Sequence, residues 1–562
     1  MKMKDRNTQL KNALGAMASK EIAQEIANIK EEDTVNRSGF KAYSVDDKLR
    51  LIAMLNTLKL QPQFYRSESV QTKELRDLIE KIAINDPYFV AQAIVYSRCA
   101  GEGMRSINHL AAALLAPYAS GQEWAKRFYG AFNKKEYKNG VVKGGCIYRP
   151  DDMTEIAAVY NALNNGILTN AMKKGFASVI ENLDGYQLAK YKRSIIDISN
   201  LVHPKSKNSK ETVTINGNEV KVLDAIMQGM KISADTWEHA NSEAGQEIAK
   251  AVREGRVDKQ EAAKILTEAK NDNWESLLND GKLGILAALR NIRNMMKSPR
   301  KSVIDAWCKL ITTDGLIRKS LVLPIQIDLA YETVMREFAD TDYSPQVQQA
   351  LLDAYEMSIP NLASVLTGKT CVIVDCSGSM GMPINFNNQK EINLLYNWRV
   401  RAKRDTESCS YKAGLIAATI CKATGADVIK FGSYAKYFNY NNRLNVFALA
   451  KSIGTSEYGA TCPDTAFRLM GENQKSYDRI IIISDNEVNS YNLTSNAYKS
   501  YMRNVCSPYI YTVDLAAYGT TPISNDNKVQ YYYGYGNQLF EDISKNEFNP
   551  NYHIDKILKV II

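Results

Sequence analysis

The apolar pattern of this 562-residue chain changes its period once, near residue 365, and that change limits the folds open to it. From roughly 45 to 360, apolar residues recur at helical spacing; from about 365 onward, short apolar strands alternate with helices. In the first region Asp86-Pro87 starts a helix carrying Phe89, Ala93 and Tyr96. After the Gly101-Glu102-Gly103 break a second carries Ile107, Leu110, Ala111 and Leu114. Helix pair follows helix pair without a fixed sequence period, which predicts an α-solenoid of degenerate HEAT-like repeats. Polar segments such as 205–210 interrupt it as exposed loops. In the second region the strands fall at 371–375, 426–431, 479–485 and 509–515, the pattern of a doubly wound α/β domain. The expected class is therefore multidomain, with a helical-repeat region over 1–364 and an α/β domain over 365–562.

The first strand of that α/β domain ends in Asp375-Cys376-Ser377-Gly378-Ser379. A buried strand delivers Asp375 at its carboxyl end, and Ser377 and Ser379 present hydroxyls from a turn that Gly378 permits. One carboxylate and two hydroxyls suit Mg²⁺ or another hard divalent cation, which keeps its remaining positions for water or a partner's oxygen. Gly459-Ala460-Thr461-Cys462-Pro463-Asp464 places Thr461 before a helix with Pro463 in its first turn, adding a hydroxyl. Asp485 closes the strand 479–485 and supplies a second carboxylate, at the end of a parallel sheet where ligand sites form. Taken alone, Asp375 is equally a capping carboxylate at a strand-to-helix turn; the three elements in order favour the metal.

Basic residues gather on particular helix faces. Lys190 and Arg193 lie three apart on a helix through 186–193, with Tyr186 one turn before Lys190, a surface suited to phosphate with an aromatic neighbour. Lys173, Lys174 and Lys192 extend it, and His203 beside Pro204 adds a neutral hydrogen-bonding group. On a later helix Ile285, Leu289, Ile292 and Met296 form the buried stripe, and Arg290, Arg293 and Lys297 align on another face, where cations track a nucleic-acid backbone or simply meet solvent. Arg105 and His109 form a smaller pair of the same kind, with a half-buried structural role for His109 as the alternative. Between Met380 and a helix near Ser410 lies a polar insertion, 381–409, holding Trp398, Arg399, Arg401, Lys403 and Arg404, either a solvated loop or a grip on a ligand at the metal loop.

Composition narrows the class further. Hydrophobic content of 45% with only 14 Pro argues against disorder. No apolar run approaches about 18 residues and the start of the chain lacks a signal-peptide pattern, so a soluble cytoplasmic protein without membrane contact is expected. Nine scattered cysteines without a Cys-x-x-Cys pair indicate neither a zinc knuckle nor a disulfide framework, and four histidines argue against a multi-histidine centre. The net charge of +9 permits a polyanionic partner.

The order Asp-x-Ser-x-Ser, Thr, strand-terminal Asp resembles the metal-ion-dependent adhesion site of von Willebrand factor A domains. Ile84 to Phe89, Tyr186 to Lys192, Asp197 to Lys205, Thr236-Trp237-Glu238 and Ala288 to Asn294 together resemble a TROVE module. The whole chain from roughly residue 20 resembles the Ro family. That resemblance implies a monomeric ring of HEAT-like helices closed by the A domain, binding Y-like small noncoding RNA on its outer surface and the ends of misfolded or single-stranded RNAs in its hole. It also implies an exoribonuclease as partner in RNA quality control or processing. The family's Y RNA surface maps onto Lys190, Arg193 and His203, with a shorter spacing between Lys190 and His203 than in animal members. Gln326 stands where the family commonly has a cation. The expected function is an RNA-binding scaffold without catalysis. The alternative is a metal-dependent protein-binding adaptor in which an acidic protein ligand completes the cation's shell; a phosphohydrolase would have only Asp485 and Asp464 for a second metal or base.

Overall fold

In the computed structural model the described residues run from 32 to 562, apart from internal stretches of which 231–247, 318–323, 360–365, 395–404, 490–493 and 535–538 are the longest. Contacts divide the chain into two compact units, Met1–Gln71 with Ile359–Ile554, and Thr72–Ser358 with Asp555–Ile562. The change of period coincides with one boundary. The residues up to Gln71 and those from Asp555 group across it, where a division at 364/365 would have placed each with its neighbour in sequence.

The first unit is built on a six-stranded sheet of β1 (Thr370–Asp375), β2 (Asp427–Phe431), β3 (Ala435–Tyr437), β4 (Arg479–Ser484), β5 (Tyr509–Asp514) and β6 (Val529–Tyr533), in the order β6-β5-β4-β1-β2-β3. All neighbours are parallel except β2 and β3. Every residue of β1 and β4 is buried, because a parallel sheet covered on both faces hides both sets of alternating side chains. Cys371, Ile373, Ile480 and Ile482 pack on one side with Phe467, Met470 and Tyr498. Val372 and Val374 alternate to the other, where the helix Cys409–Thr424 lies, its residues from Cys409 to Cys421 all buried. That helix presses so closely on Val446–Ile453 that a Cβ at Gly414 would stand 2.1 Å from the Ala450 carbonyl oxygen, so only glycine fits.

Residues from the amino-terminal part complete this unit. Lys41–Ser44 pairs antiparallel with Thr520–Thr521. The buried Arg66 guanidinium donates to the carbonyls of Ala516 (2.9 Å) and Ala517 (3.2 Å) and to Gln63 Oε1 (2.6 Å).

The second unit packs helix on helix. Pro87–Cys99 begins as its sequence predicts, with the Asp86 carboxylate accepting from the Phe89 amide at 3.1 Å, and Phe89 to Arg98 are all buried. It lies against Ser106–Ala119, which lies against Asp152–Asn164. The region is not helical throughout: Lys134–Glu136 pairs with Val141–Lys143, and Thr212–Ile215 with Asn218–Lys221, as two antiparallel hairpins. The end of the chain is held by side chains of this unit. Gln92 Nε2 donates to the carbonyls of Leu558 and Val560, each at 2.9 Å, and Arg127 Nε to that of Ile562 at 3.1 Å.

Candidate functional site

The order of the sheet reverses between β1 and β4. Chain leaves β1 toward β2 on one side and reaches β4 and β5 on the other, which opens a crevice at the carboxyl ends of these two strands. Asp375 ends β1 and Asp485 follows β4, so both carboxylates stand at that crevice, fully buried or nearly so. Asp375 Oδ1 accepts from the Ser377 amide at 2.8 Å, and Oδ2 from Ser484 Oγ at 2.5 Å. Ser377 and Ser379 hydroxyls are 3.4 Å apart, and Ser379 faces Asp485. The Gly378 amide reaches the Gly459 carbonyl at 3.4 Å, which brings in the loop of Thr461, buried and held through its amide by the Asn489 side chain. The expected five residues thus come from loops that meet. Gly378 itself has ordinary helical torsions, φ −62° and ψ −38°, and open space where a Cβ would stand, so the turn does not depend on glycine as its sequence suggested.

Burial and the neighbouring Asp485 push Asp375 up to about 7, and burial raises Asp485 as well. Glu487, two residues on, is pushed up to about 8 by burial and by Asp485; its Oε2 accepts from the Ser38 amide at 3.0 Å, and its buried Oε1 has no hydrogen-bond partner. Asp514, at the end of β5, is raised to about 6 by burial although Tyr531 and the amides of Ala516 and Ala517 bond to it. Such mutually repelling buried oxygens, beside Ser and Thr hydroxyls, are the donor chemistry a hard divalent cation takes. Among the described residues no three His, Cys, Asp or Glu side chains cluster with metal-holding geometry.

Sequence reasoning missed Ser484 and Asp514, which strand-end position alone could have flagged, Glu487 in the loop after Asp485, and the amino-terminal residues at this crevice, which no local signal marks. Asn36 Nδ2 donates to the Val488 carbonyl at 2.5 Å, and the Tyr65 hydroxyl faces Ser38, Ser379 and the Asp485 carboxylate.

The basic candidates occupy the helical unit. Lys190 ends a short helix, Gly185–Lys190, with its ammonium 5.7 Å from the ring centroid of Tyr186 and 3.4 Å from that hydroxyl. The continuous helix expected over 186–193 is broken at Tyr191, φ −104° and ψ 22°, and a second helix runs Lys192–Val202. Tertiary contacts hold the break: the Arg149 guanidinium lies 5.7 Å from the Tyr191 centroid and Lys192 Nζ donates to the Met230 carbonyl at 2.6 Å. Lys190 and Arg193 are consequently both exposed but on different helices. His203 is exposed in the left-handed region, φ 51°, closing the second helix through its amide bond to Ser199. On the preceding helix Lys174 is exposed and Lys173 half-buried.

On the helix Ile285–Met296 the apolar stripe is buried and Arg290, Arg293 and Lys297 are exposed, as the spacing predicts. Arg293 Nε pairs with Glu337 at 2.6 Å. Arg105 is committed inward, to Asp152 at 3.0 Å and Asp151 at 2.7 Å, and His109 Nε2 is 2.9 Å from the same buried Asp152. Trp398, Arg399, Arg401, Lys403 and Arg404 lie outside the described residues, as does the Gln326 side chain, though its backbone belongs to the helix Pro324–Glu337.

No family profile matches the chain, and no curated protein matches it in sequence. Among solved structures, the crystal structure of the Deinococcus radiodurans Ro (RSR) protein superposes with a TM-score of 0.50 over 89% of this chain and 100% of that one, at 14% identity. The chain has the fold of a bacterial Ro protein. At 14% identity no residue's role follows from the Ro likeness, so the site on this Ro fold rests on its own geometry. Among the described residues no helix of the Ro fold is long and apolar enough to cross a membrane.

Proposed function

We propose that this chain is an RNA-binding protein of the Ro type, acting without catalysis. The observation that carries the reading is the exposure of Lys190, Arg193 and His203 on one stretch of the helical unit, with Lys174 on the preceding helix, in a chain with the Ro fold. Exposed cations neutralise phosphates and release counterions, which supplies sequence-independent affinity. In this reading the helical unit is a HEAT-like ring, Y-like noncoding RNA lies on its outer surface along Lys190, Arg193 and His203, and Arg290 and Arg293 meet ends of misfolded or single-stranded RNA in the hole. An exoribonuclease is the expected partner in RNA processing, in the cytoplasm. Electrophoretic mobility shift with a structured RNA bearing a single-stranded tail tests the reading; it requires a shifted complex that dissociates as salt rises.

The carboxyl-terminal α/β unit, in the same proposal, is a von Willebrand factor A domain whose adhesion site holds Mg²⁺ through Asp375, Ser377, Ser379, Thr461 and Asp485. When bound, the cation would neutralise the buried carboxylates and leave an electrophilic position open. A second reading, a metal-dependent adaptor for an acidic protein ligand, is supported by that donor set. The placement of Tyr65 and Ser38 beside Asp485 and Glu487 weighs against it, because the chain's own amino-terminal residues already occupy part of the crevice.

A further inference from the structure

Beside the exposed cations of the helical unit stand two exposed aromatic rings. Tyr148 is 51% exposed and Tyr186 49%, high values for a ring of this size. Each already has a cation near one face: Arg98 Cζ is 5.2 Å from the Tyr148 centroid and Lys190 Nζ 5.7 Å from that of Tyr186. A third pair joins them, with the Arg149 guanidinium 5.7 Å from the Tyr191 ring. Arg149 adjoins Tyr148 in sequence, and the Tyr191 amide bonds the Gln187 carbonyl at 3.0 Å, one turn from Tyr186. The Arg149–Tyr191 contact therefore joins the segment of Tyr148 to the segment of Tyr186 and Lys190, so that both exposed rings lie in the same region of the helical unit.

The surface is fixed from beneath. Asp152, wholly buried, accepts from the amides of Tyr148 at 3.0 Å and Arg149 at 2.9 Å, and from the Arg98 guanidinium at 3.0 Å. Thr154 Oγ1 donates to the Ser194 carbonyl at 3.2 Å, tying the helix after Asp152 to the helix after Tyr191. One carboxylate thus sets both the backbone of Tyr148 and the cation beside its ring, which is half exposed. A ring held in place loses little freedom when a planar ligand lands on it.

We propose that Tyr148 and Tyr186 are stacking platforms for unpaired nucleobases, so that the Lys190 and Arg193 surface takes RNA at a junction of paired and unpaired nucleotides and not as uniform duplex. This rests on the RNA-binding reading above and specifies which RNA feature that surface holds. Cations beside the rings reach the phosphates that connect successive stacked bases, and both rings accept any base because every base has a π-face. A protein partner is less suited: cations around exposed rings complement a ligand with a regular anionic backbone and flat groups, which single-stranded RNA has throughout its length.

The test uses the full chain and two RNAs of equal length, a blunt hairpin and a hairpin with an unpaired tail carrying 2-aminopurine. Tyr148→Leu with Tyr186→Leu is expected to weaken binding of the tailed RNA by about 5- to 150-fold per stacked base lost. The blunt RNA should bind as to the unchanged protein. Quenching of 2-aminopurine on binding should vanish in the Leu variant and persist in the corresponding Phe variant, which also controls for folding. If the unchanged protein binds RNA but the Leu variant binds both RNAs equally well, or loses both equally, the stacking inference is overturned while RNA binding stands. A Leu variant that loses only a poly-glutamate peptide would assign the surface to protein and overturn it too. Absence of any RNA binding by the unchanged protein would instead overturn the underlying reading.

Discussion

Ser484 Oγ donates a 2.5 Å hydrogen bond to Asp375 Oδ2, linking the two strands between which the order of the sheet reverses. The hydroxyl satisfies one carboxylate oxygen without neutralising it, and burial with Asp485 nearby still pushes Asp375 up to about 7. A carboxyl whose pKa rises on folding contributes stability that is present below its unfolded value and lost as pH rises through the folded one. The metal-free protein should therefore lose stability as pH rises from about 4 to about 8, through Asp375 and Glu487. Mg²⁺ at a hundred times its dissociation constant should return about 2.7 kcal/mol at pH 8, and less below pH 7, where protons compete for Asp375. Asp375→Asn should raise the metal-free melting temperature at pH 8 and abolish the Mg²⁺ effect. Thermal unfolding with and without Mg²⁺ at pH 6 and 8 checks this; an equal Mg²⁺ effect on the variant would refute the assignment.

Asp152 holds a different kind of centre. Burial pushes its carboxyl up, but the His109 hydrogen bond and the Arg98 charge outweigh burial and keep it below the usual carboxylate range. Its contribution is present above the unfolded value, near 4, and is lost as pH falls toward the folded one. Asp152→Ala should cost about 3–5 kcal/mol, since Arg98 would stay buried beside an emptied position. Denaturant unfolding at neutral pH measures it, and a loss under about 1 kcal/mol would show that the cluster relaxes.

If the two basic surfaces take different RNAs, Lys190→Glu should weaken binding of a Y-like RNA whose stem adjoins unpaired nucleotides by at least about tenfold, and binding of an unstructured single strand by less. Arg290→Glu should do the reverse. Both residues are exposed, so neither change should lower the melting temperature by more than a degree or two. Titration of each variant with both RNAs checks the assignment, which fails if the losses are the same.

The amino-terminal contacts at the crevice lead to a separate expectation. Glu487→Gln removes a buried negative charge beside Asp485, so it should raise metal-free stability at pH 8 and weaken Mg²⁺ binding severalfold without changing RNA affinity. Calorimetric titration with Mg²⁺ measures the second effect, and an unchanged dissociation constant would place Glu487 outside the field of the cation.

How much of this was legible in the sequence depended on whether the cause was local. The run 371–374 is continuously apolar and leads into Asp375, the pattern of a strand buried on both faces, and β1 is such a strand. Ile285, Leu289, Ile292 and Met296 repeat at helical spacing and are buried. The two hairpins were missed although Asn139-Gly140 and Asn216-Gly217 are strong turn signals, with Gly140 at φ +65°. Helical spacing around them dominated the reading. The break at Tyr191 depends on Arg149 and Met230, distant in sequence, so the run 186–193 looks like one helix. Arg105 looked like a surface cation because its acidic partners at 151 and 152 are 46 and 47 residues away. The same holds for Ser38 beside Glu487, a pairing across 449 residues.

The most direct test of the central claim is equilibrium binding of the intact protein to a hairpin RNA with a single-stranded tail, followed from low to moderate salt. The account predicts measurable affinity at low salt and a log–log slope of about −0.7 to −0.9 for each phosphate neutralised. Lys190→Glu should bring that slope nearer zero by about one such unit. No binding at low salt, or binding whose strength does not change with salt, would contradict the account.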